Sequence, residues 1–447
     1  MKKPYFKIQF FSILALLIVV MIQGFTHLVN MKPLEGFSSK REKVDLNFKT
    51  YYNGTYQSYL TSAAKQNTGF REFFIRNYNQ VSYSLFNKVN NNTIVKGLNG
   101  ELYLNMYLRD LTGERLIQEY ETVEQAKAVA QKNVEATMVM IDSLRQHGTS
   151  FLYIFAPTKT SVYPEHLPTY YKKHIADFSL EEYYIELFKQ YNIPHIDFYT
   201  YFKSIKNTFP YPLFARTGTH WAQSTIPFVS DSILRKLEEI TNYHFPSIEY
   251  VDPNPTTNYV TQDAELEGTM NLLFPLSKPA LPRPVYRLTD TIGKDRPKLL
   301  VIGDSFYVQI KDGCFSDAFS EWNYWKYNRD VRSSKSEYHF KPLDSLLQAP
   351  NVLRDADILI GVFTAPFHYQ YFCGFLDDYQ ELYAKGPLKP EDFIDLVIQD
   401  IKSQPKWYQS IVNQSEKNGL SIEENLRRNA LFTINNSPKI REKYGIQ

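Results

Sequence analysis

The sequence predicts an α/β protein in which helices flank a parallel sheet. Three observations carry that prediction. Compact apolar runs at 150–156, 298–302 and 357–363 read as strands buried on both faces. Helix-period segments separate them, and strands alternating with helices make βαβ units. Turn residues follow the first two runs directly: Pro157-Thr158-Lys159 and Gly303-Asp304-Ser305.

Taken in order, the chain opens with Lys2, Lys3 and Lys7 around an uncharged apolar run from Phe10 to Phe25. The stretch after it, Gln23-Gly24-Phe25-Thr26-His27, lacks the small residues of a cleavage site. The expectation is an uncleaved signal anchor over residues 1–28. Its basic end stays in the cytoplasm, which puts the rest on the periplasmic or cell-envelope side. Residues 29–55 read as a polar stalk. From Tyr56 to Lys88 a helical period appears, with Phe70, Phe74, Tyr78, Val81 and Leu85 three or four apart. Lys96 to Tyr103 reads as a strand pair around Asn99-Gly100.

Thr122 with Gln125 makes a capping box that opens a long helix, and Gly148 stops it. Further helices are expected over 179–191 and 222–239, with a short strand ending at Ile196-Asp197. Residues 245–297 hold Pro275, Pro279, Pro282 and Pro284 and read as an irregular excursion, lid-like in placement. One domain over 56–375 and a helical tail over 376–447 complete the expected organisation.

Composition narrows the function. Lys plus Arg is 50 against 48 Asp plus Glu, a net charge of +2, which argues against a nucleic-acid partner. Two cysteines exclude Cys-based zinc fingers, Cys-ligated iron–sulfur clusters and disulfide-dense scaffolds. Whether Cys314 and Cys373 pair is left open. No His-Glu-x-x-His, Walker loop or Gly-x-Gly-x-x-Gly occurs, so no metal or cofactor is expected. The 34 Tyr and 31 Phe suit stacking on sugars as well as core packing.

Two motifs carry chemistry. Leu300-Val301-Ile302-Gly303-Asp304-Ser305-Phe306 runs a buried strand into a turn and a helix. Ligands bind at the carboxyl ends of strands in such sheets. Ser305 there is either a nucleophile beside free main-chain N–H groups or an N-cap. Arg216-Thr217-Gly218-Thr219-His220-Trp221 precedes a helix, and His220 is either a general base or a structural histidine.

Together, Thr219-His220-Trp221 upstream of Gly303-Asp304-Ser305-Phe306 resembles the AlgX/AlgJ-type polysaccharide O-acetyltransferases. Phe155 to Glu165, Thr68-Gly69-Phe70-Arg71 and Asn99 to Tyr103 extend the likeness over roughly residues 55–370. The resemblance implies an SGNH hydrolase-like, flavodoxin-like domain in which the His motif precedes the Ser motif. It makes Ser305 the acyl-accepting nucleophile and His220 its base. The Ser305 N–H becomes an oxyanion donor in a turn built with Gly303 and Asp304.

The family's acid stands two residues before the histidine, where this chain has Gly218. Either Glu165 or Asp197 substitutes, or a Ser–His dyad operates, or catalysis is lost. An Asp restored at 218 is expected to raise activity, or at least not to lower it. Arg216, Trp221, Lys159, Tyr163 and Tyr307 are candidates for binding substrate, Arg216 by pairing with an acidic sugar. The implied reaction is O-acetylation of an exported polysaccharide, with a multi-pass membrane O-acyltransferase as acetyl donor. An esterase using the same residues and a non-catalytic glycan-binding scaffold are the rivals.

Overall fold

The structure, a computed structural model, describes residues 5–36, 43–334, 349–384 and 390–444. Its strands are β1 (Ile94–Lys96), β2 (Leu102–Leu104), β3 (Ser150–Ala156), β4 (His195–Asp197), β5 (Ser247–Thr256), β6 (Leu281–Thr289), β7 (Lys298–Gly303), β8 (Glu321–Lys326), β9 (Asp330–Ser333) and β10 (Ile358–Thr364). Six of them form one sheet in the order β4-β3-β10-β7-β8-β9. The first five are mutually parallel, and β9 closes the edge antiparallel to β8.

The expected buried strands are the sheet's centre. Every residue of β10 is buried, with β3 and β7 on either side of it. Side chains alternate along each strand, so each run supplies two faces. Phe151, Tyr153, Phe155, Leu300, Ile302, Leu359 and Phe363 face the helices Val123–Gln146 and Leu180–Gln190. Leu152, Ile154, Val301, Ile358, Ile360 and Val362 face Phe198–Ile205, Ile226–Ile240 and Phe306–Asp312. Two apolar layers on one sheet explain why these runs read as continuously hydrophobic.

Local signals resolve as the side chains dictate. Thr122 accepts from the Gln125 N–H to open its helix, and Gly148 turns out of it at φ +81°. The helix expected from 222 begins at Ile226, after a 3-10 turn over Gln223–Thr225. The proline-rich excursion is more ordered than expected. It holds a long β5–β6 hairpin and a helix, Glu265–Met270. A two-stranded hairpin has only edge strands, so Pro282 and Pro284 need not donate to a further neighbour.

The N-terminal helix, Tyr5–Thr26, is 22 residues long and is apolar enough to cross a membrane by length and composition. That length is about 33 Å at 1.5 Å per residue, against a hydrocarbon core of about 30 Å. At the other end, Ile394–Ser403, Pro405–Asn418 and Ile422–Asn436 enclose a separate small core of Val397, Ile401, Ile411, Leu426 and Ile434.

Candidate active site

Ser305 stands where β7 leaves the sheet. A Cβ on Gly303 would meet the Val362 carbonyl oxygen at 2.9 Å, so glycine lets β7 close against β10 at the sheet's edge. Asp304 is fully buried and ties the two strand ends together. Its Oδ1 accepts from the Phe306 N–H at 2.9 Å, and its Oδ2 accepts from the Thr364 N–H and hydroxyl at 2.8 and 2.7 Å. Burial raises its carboxyl above the ordinary value, against these donors. Asp304 therefore braces the turn. Ser305 starts the Phe306–Asp312 helix in helical conformation, and its side chain makes no capping bond. Its hydroxyl is free for other work.

That hydroxyl lies 2.8 Å from His220 Nε2. On the far side of the ring, His220 Nδ1 is 2.7 Å from Glu265 Oε1. The same oxygen accepts from the main-chain N–H groups of Thr219, at 2.9 Å, and His220, at 3.2 Å. An ionised carboxylate only accepts, so Nδ1 carries its proton toward Glu265 and Nε2 is left to accept from Ser305. The three side chains form a continuous Ser–His–Glu relay. The histidine and glutamate side chains are 13% and 25% exposed, so the relay is open to a ligand.

Glu265 is the residue that the sequence did not reveal. It opens the short helix of the proline-rich excursion, 45 positions after His220. That excursion is stitched to the histidine loop. The Thr217 hydroxyl donates to the Asp263 carbonyl at 2.9 Å, and the Leu266 N–H donates to the Thr217 carbonyl at 3.1 Å. Gly218 lies under this seam. A Cβ there would meet the carbonyl oxygens of Gln262 and Asp263 at 2.7 and 3.1 Å. Main chain leading to Glu265 thus occupies the space where a side chain at 218 would begin. The only sequence hint was an acidic start, Asp263-Ala264-Glu265-Leu266-Glu267, amid prolines.

The two acids expected from sequence lie elsewhere. Glu165 pairs with Lys206 at 2.8 and 2.9 Å. Asp197 caps its helix by accepting from the Thr200 N–H at 2.8 Å, and lies 3.5 Å from Lys189. Strand order explains both. β3 is two strands from β7 and β4 is three, or about 14 Å at the usual interstrand spacing.

Most of the expected substrate-binding residues are structural. Trp221 is fully buried, donates from Nε1 to the Phe306 carbonyl at 3.2 Å, and packs beneath the site. Its place under Phe306 leaves no face for a sugar. Lys159 is 1% exposed. Its ammonium donates to the carbonyls of Leu102, Ala215, Arg216 and Gly218 and pairs with Glu101 at 2.8 Å. It staples the histidine loop to the sheet rather than lining a pocket. Burial lowers its pKa, while Glu101 opposes that shift. The Tyr163 hydroxyl accepts from the Leu213 N–H at 3.0 Å. Tyr307 is 1% exposed and packs on Tyr324 inside the core. Arg216 remains partly exposed, with Glu101 3.9 Å away. Cys314 and Cys373 are both free thiols, and burial pushes them up to about 11 and about 12.

Tyr327 is a second residue that sequence reading missed. The β8–β9 turn puts Tyr327 and Asn328 at φ +53° and +52°, as a tight hairpin turn requires. The turn brings the phenol beside the hydroxyl and the main-chain N–H of Ser305. Burial raises its pKa, which keeps it a donor.

No curated protein matches the chain in sequence. Among solved structures, it is similar to the O-acetyltransferase domain of Pseudomonas putida AlgJ: 16% identity, TM-score 0.40, over 64% of this chain and 99% of that one. It is similar to Pseudomonas aeruginosa AlgX at 15% and 0.40, over 64% and 67%. Bacillus cereus PatB1 aligns at 9% and 0.35, over 55% and 92%. Residues 116–306, which include His220, Glu265 and Ser305, match the family described as "SGNH hydrolase-like domain, acetyltransferase AlgX". The resemblance drawn from the two motifs therefore holds: the fold is SGNH hydrolase-like, and residues 116–306 are similar to the acetyltransferase domain of AlgX.

Proposed function

We propose that this chain is an O-acetyltransferase that modifies an extracytoplasmic polysaccharide through an acyl-serine intermediate. The observation that carries the reading is the Ser305–His220–Glu265 relay, with contacts of 2.8 and 2.7 Å, inside a domain similar to that of AlgX. The Ser305 hydroxyl attacks the acyl carbonyl of the donor, and His220 Nε2 takes the hydroxyl proton. Glu265 holds the tautomer and stabilises the imidazolium that forms. The Ser305 N–H would donate to the developing oxyanion, with the Tyr327 phenol beside it. His220 returns the proton to the leaving oxygen of the donor. A sugar hydroxyl then gives its proton to His220, attacks the acyl-serine and leaves as the acetate ester, while His220 returns the proton to the departing Ser305 oxygen.

Arg216 would hold an acidic sugar beside the site. The acetyl donor would be a multi-pass membrane acyltransferase, with this chain held next to it by the Tyr5–Thr26 helix. The non-catalytic reading rested on Gly218, and a carboxylate on His220 Nδ1 weighs against it.

The full-length protein, incubated with an activated acetyl ester, should gain one acetyl group on the Ser305 peptide by mass spectrometry. Addition of an acidic oligosaccharide should discharge it onto sugar. Discharge to free acetate alone would make the protein an esterase, and equal labelling of Ser305→Ala would move the nucleophile elsewhere.

A further inference from the structure

The Arg71–Phe86 helix is built inside out. At about 100° per residue, Phe74, Tyr78, Val81 and Leu85 share an arc of about 60°. That arc points to solvent: these side chains are 51, 63, 49 and 74% exposed. The polar side chains turn toward the protein instead. The Arg76 guanidinium donates to the Lys32 and Pro33 carbonyls, each at 2.8 Å. The Asn79 amide donates to the Met270 carbonyl at 2.9 Å, and the Phe274 N–H donates to Gln80 at 3.1 Å. An ordinary surface helix has the opposite arrangement.

The start of this helix is locked to the end of the apolar N-terminal one. A Cβ on Gly69 would collide with the Val20 carbonyl oxygen, and one on Gly24 would collide with the Asn67 carbonyl oxygen. Two glycines back to back let the chains touch. If Tyr5–Thr26 spans a membrane, Val20 to Gly24 lie in its last two turns, at the outer boundary of the bilayer. The apolar stripe then begins at that depth. Its two aromatic rings suit the interfacial zone, and exposed Lys65 and Lys88 flank it, where anionic headgroups would meet them.

We propose that the Arg71–Phe86 helix lies on the outer membrane surface beside the anchor, with the stripe from Phe74 to Leu85 seated among headgroups and upper acyl chains. The proposal rests on reading Tyr5–Thr26 as a span. It fixes the globular domain against the bilayer at a second point, so that the active site holds a set height above the lipid.

The test uses the full chain in phosphatidylcholine–phosphatidylglycerol vesicles. In a Cys314→Ser, Cys373→Ser background, single cysteines replace Leu14, Tyr78, Leu85 or the exposed Glu423, each carrying an environment-sensitive fluorophore. Unchanged acyl-ester reactivity checks the fold. Labels at 78 and 85 should shift to the blue. Brominated lipids should quench them most when the bromine sits about 5–10 Å below the headgroup boundary. The label at 14 should respond to deep bromines, and the label at 423 to none. If 14 is quenched while 78 and 85 behave like 423, the helix does not touch lipid, and the proposal fails with the span intact. If 14 is not quenched, the span fails and takes the proposal with it. Labels at 78 and 85 shielded from lipid and from aqueous iodide alike would mean that protein, either a second copy or a membrane-embedded partner, covers the face, which also overturns the proposal.

Discussion

Glu265 decides how His220 is read. Glu265→Gln keeps the shape but presents an amide to Nδ1, so the wrong tautomer becomes accessible. The corresponding change in serine proteases costs about 10⁴ in rate, and a loss of similar order in acyl transfer is expected here. Rates of Ser305 acylation, measured against pH, check this; a loss of less than about tenfold would leave Ser305 and His220 working as a dyad. Glu165→Gln and Asp197→Asn should leave those rates unchanged, because neither side chain reaches the imidazole. Gly218→Asp, favourable from sequence alone, is now expected to lower stability and activity. Its Cβ would stand 2.7 Å from the Gln262 carbonyl oxygen, which would force the seam carrying Glu265 apart. Urea denaturation together with acylation rates would detect both losses, and an active, stable Gly218→Asp enzyme would refute that account.

At the scale of elements, the histidine loop is held by its neighbours rather than by its own propensity. Lys159 gathers the carbonyls of Ala215, Arg216 and Gly218, and the Gln309 amide donates to the Trp221 carbonyl at 3.1 Å. Lys159→Met would take the ammonium from the half-buried Glu101, leaving it Arg216 at 3.9 Å, and would remove one donor from each of three loop carbonyls, of which Ala215 and Arg216 keep the main-chain N–H groups of Gly218 and Leu102. A cost of about 3–5 kcal/mol is expected for breaking such a buried pair. Equilibrium unfolding measures it, and a change below about 1 kcal/mol would show the staple to be dispensable. Ser305 acylation should slow as well, because the loop also carries the imidazole. The turn that delivers Tyr327 was invisible for a local reason. Tyr-Asn lacks the Asn-Gly signature, yet both residues take left-handed conformations in the turn.

At the scale of the whole molecule, acid sensitivity has an identifiable source. His368 is fully buried among Tyr153, Phe155 and Tyr184, and burial lowers its pKa to about 3. In the unfolded chain it takes a proton near its ordinary value of about 6.5. Between those values the unfolded state holds more protons, so stability is fully present above about pH 6.5 and falls as pH drops toward 3. The slope is at most about 1.4 kcal/mol per pH unit, or about 2 kcal/mol from pH 6.5 to 5. Asp110 and Asp263, which burial raises to about 6, act in the opposite sense between about pH 4 and 6. The difference between wild type and His368→Phe therefore carries the effect. Urea titrations at pH 7.5 and 5 should show the variant losing less stability on acidification. Equal losses would place the acid sensitivity elsewhere.

The sequence by itself determined the buried strands of the sheet, the capped helix after Thr122, and the serine and histidine motifs. These follow from short-range facts: apolar periodicity, capping side chains and turn residues act within a few positions of one another. Only the tertiary structure decided which carboxylate backs His220. That choice depends on strand order, which carries Glu165 and Asp197 away, and on a seam between segments 45 residues apart, which brings Glu265 in. It likewise turned Trp221 and Lys159 from sugar contacts into supports. A residue's type fixes what it can bond, whereas burial fixes what remains within its reach. The stripe from Phe74 to Leu85 makes the same point in reverse. Its period correctly announced a helix, but period alone does not say whether an apolar face meets a core or a membrane.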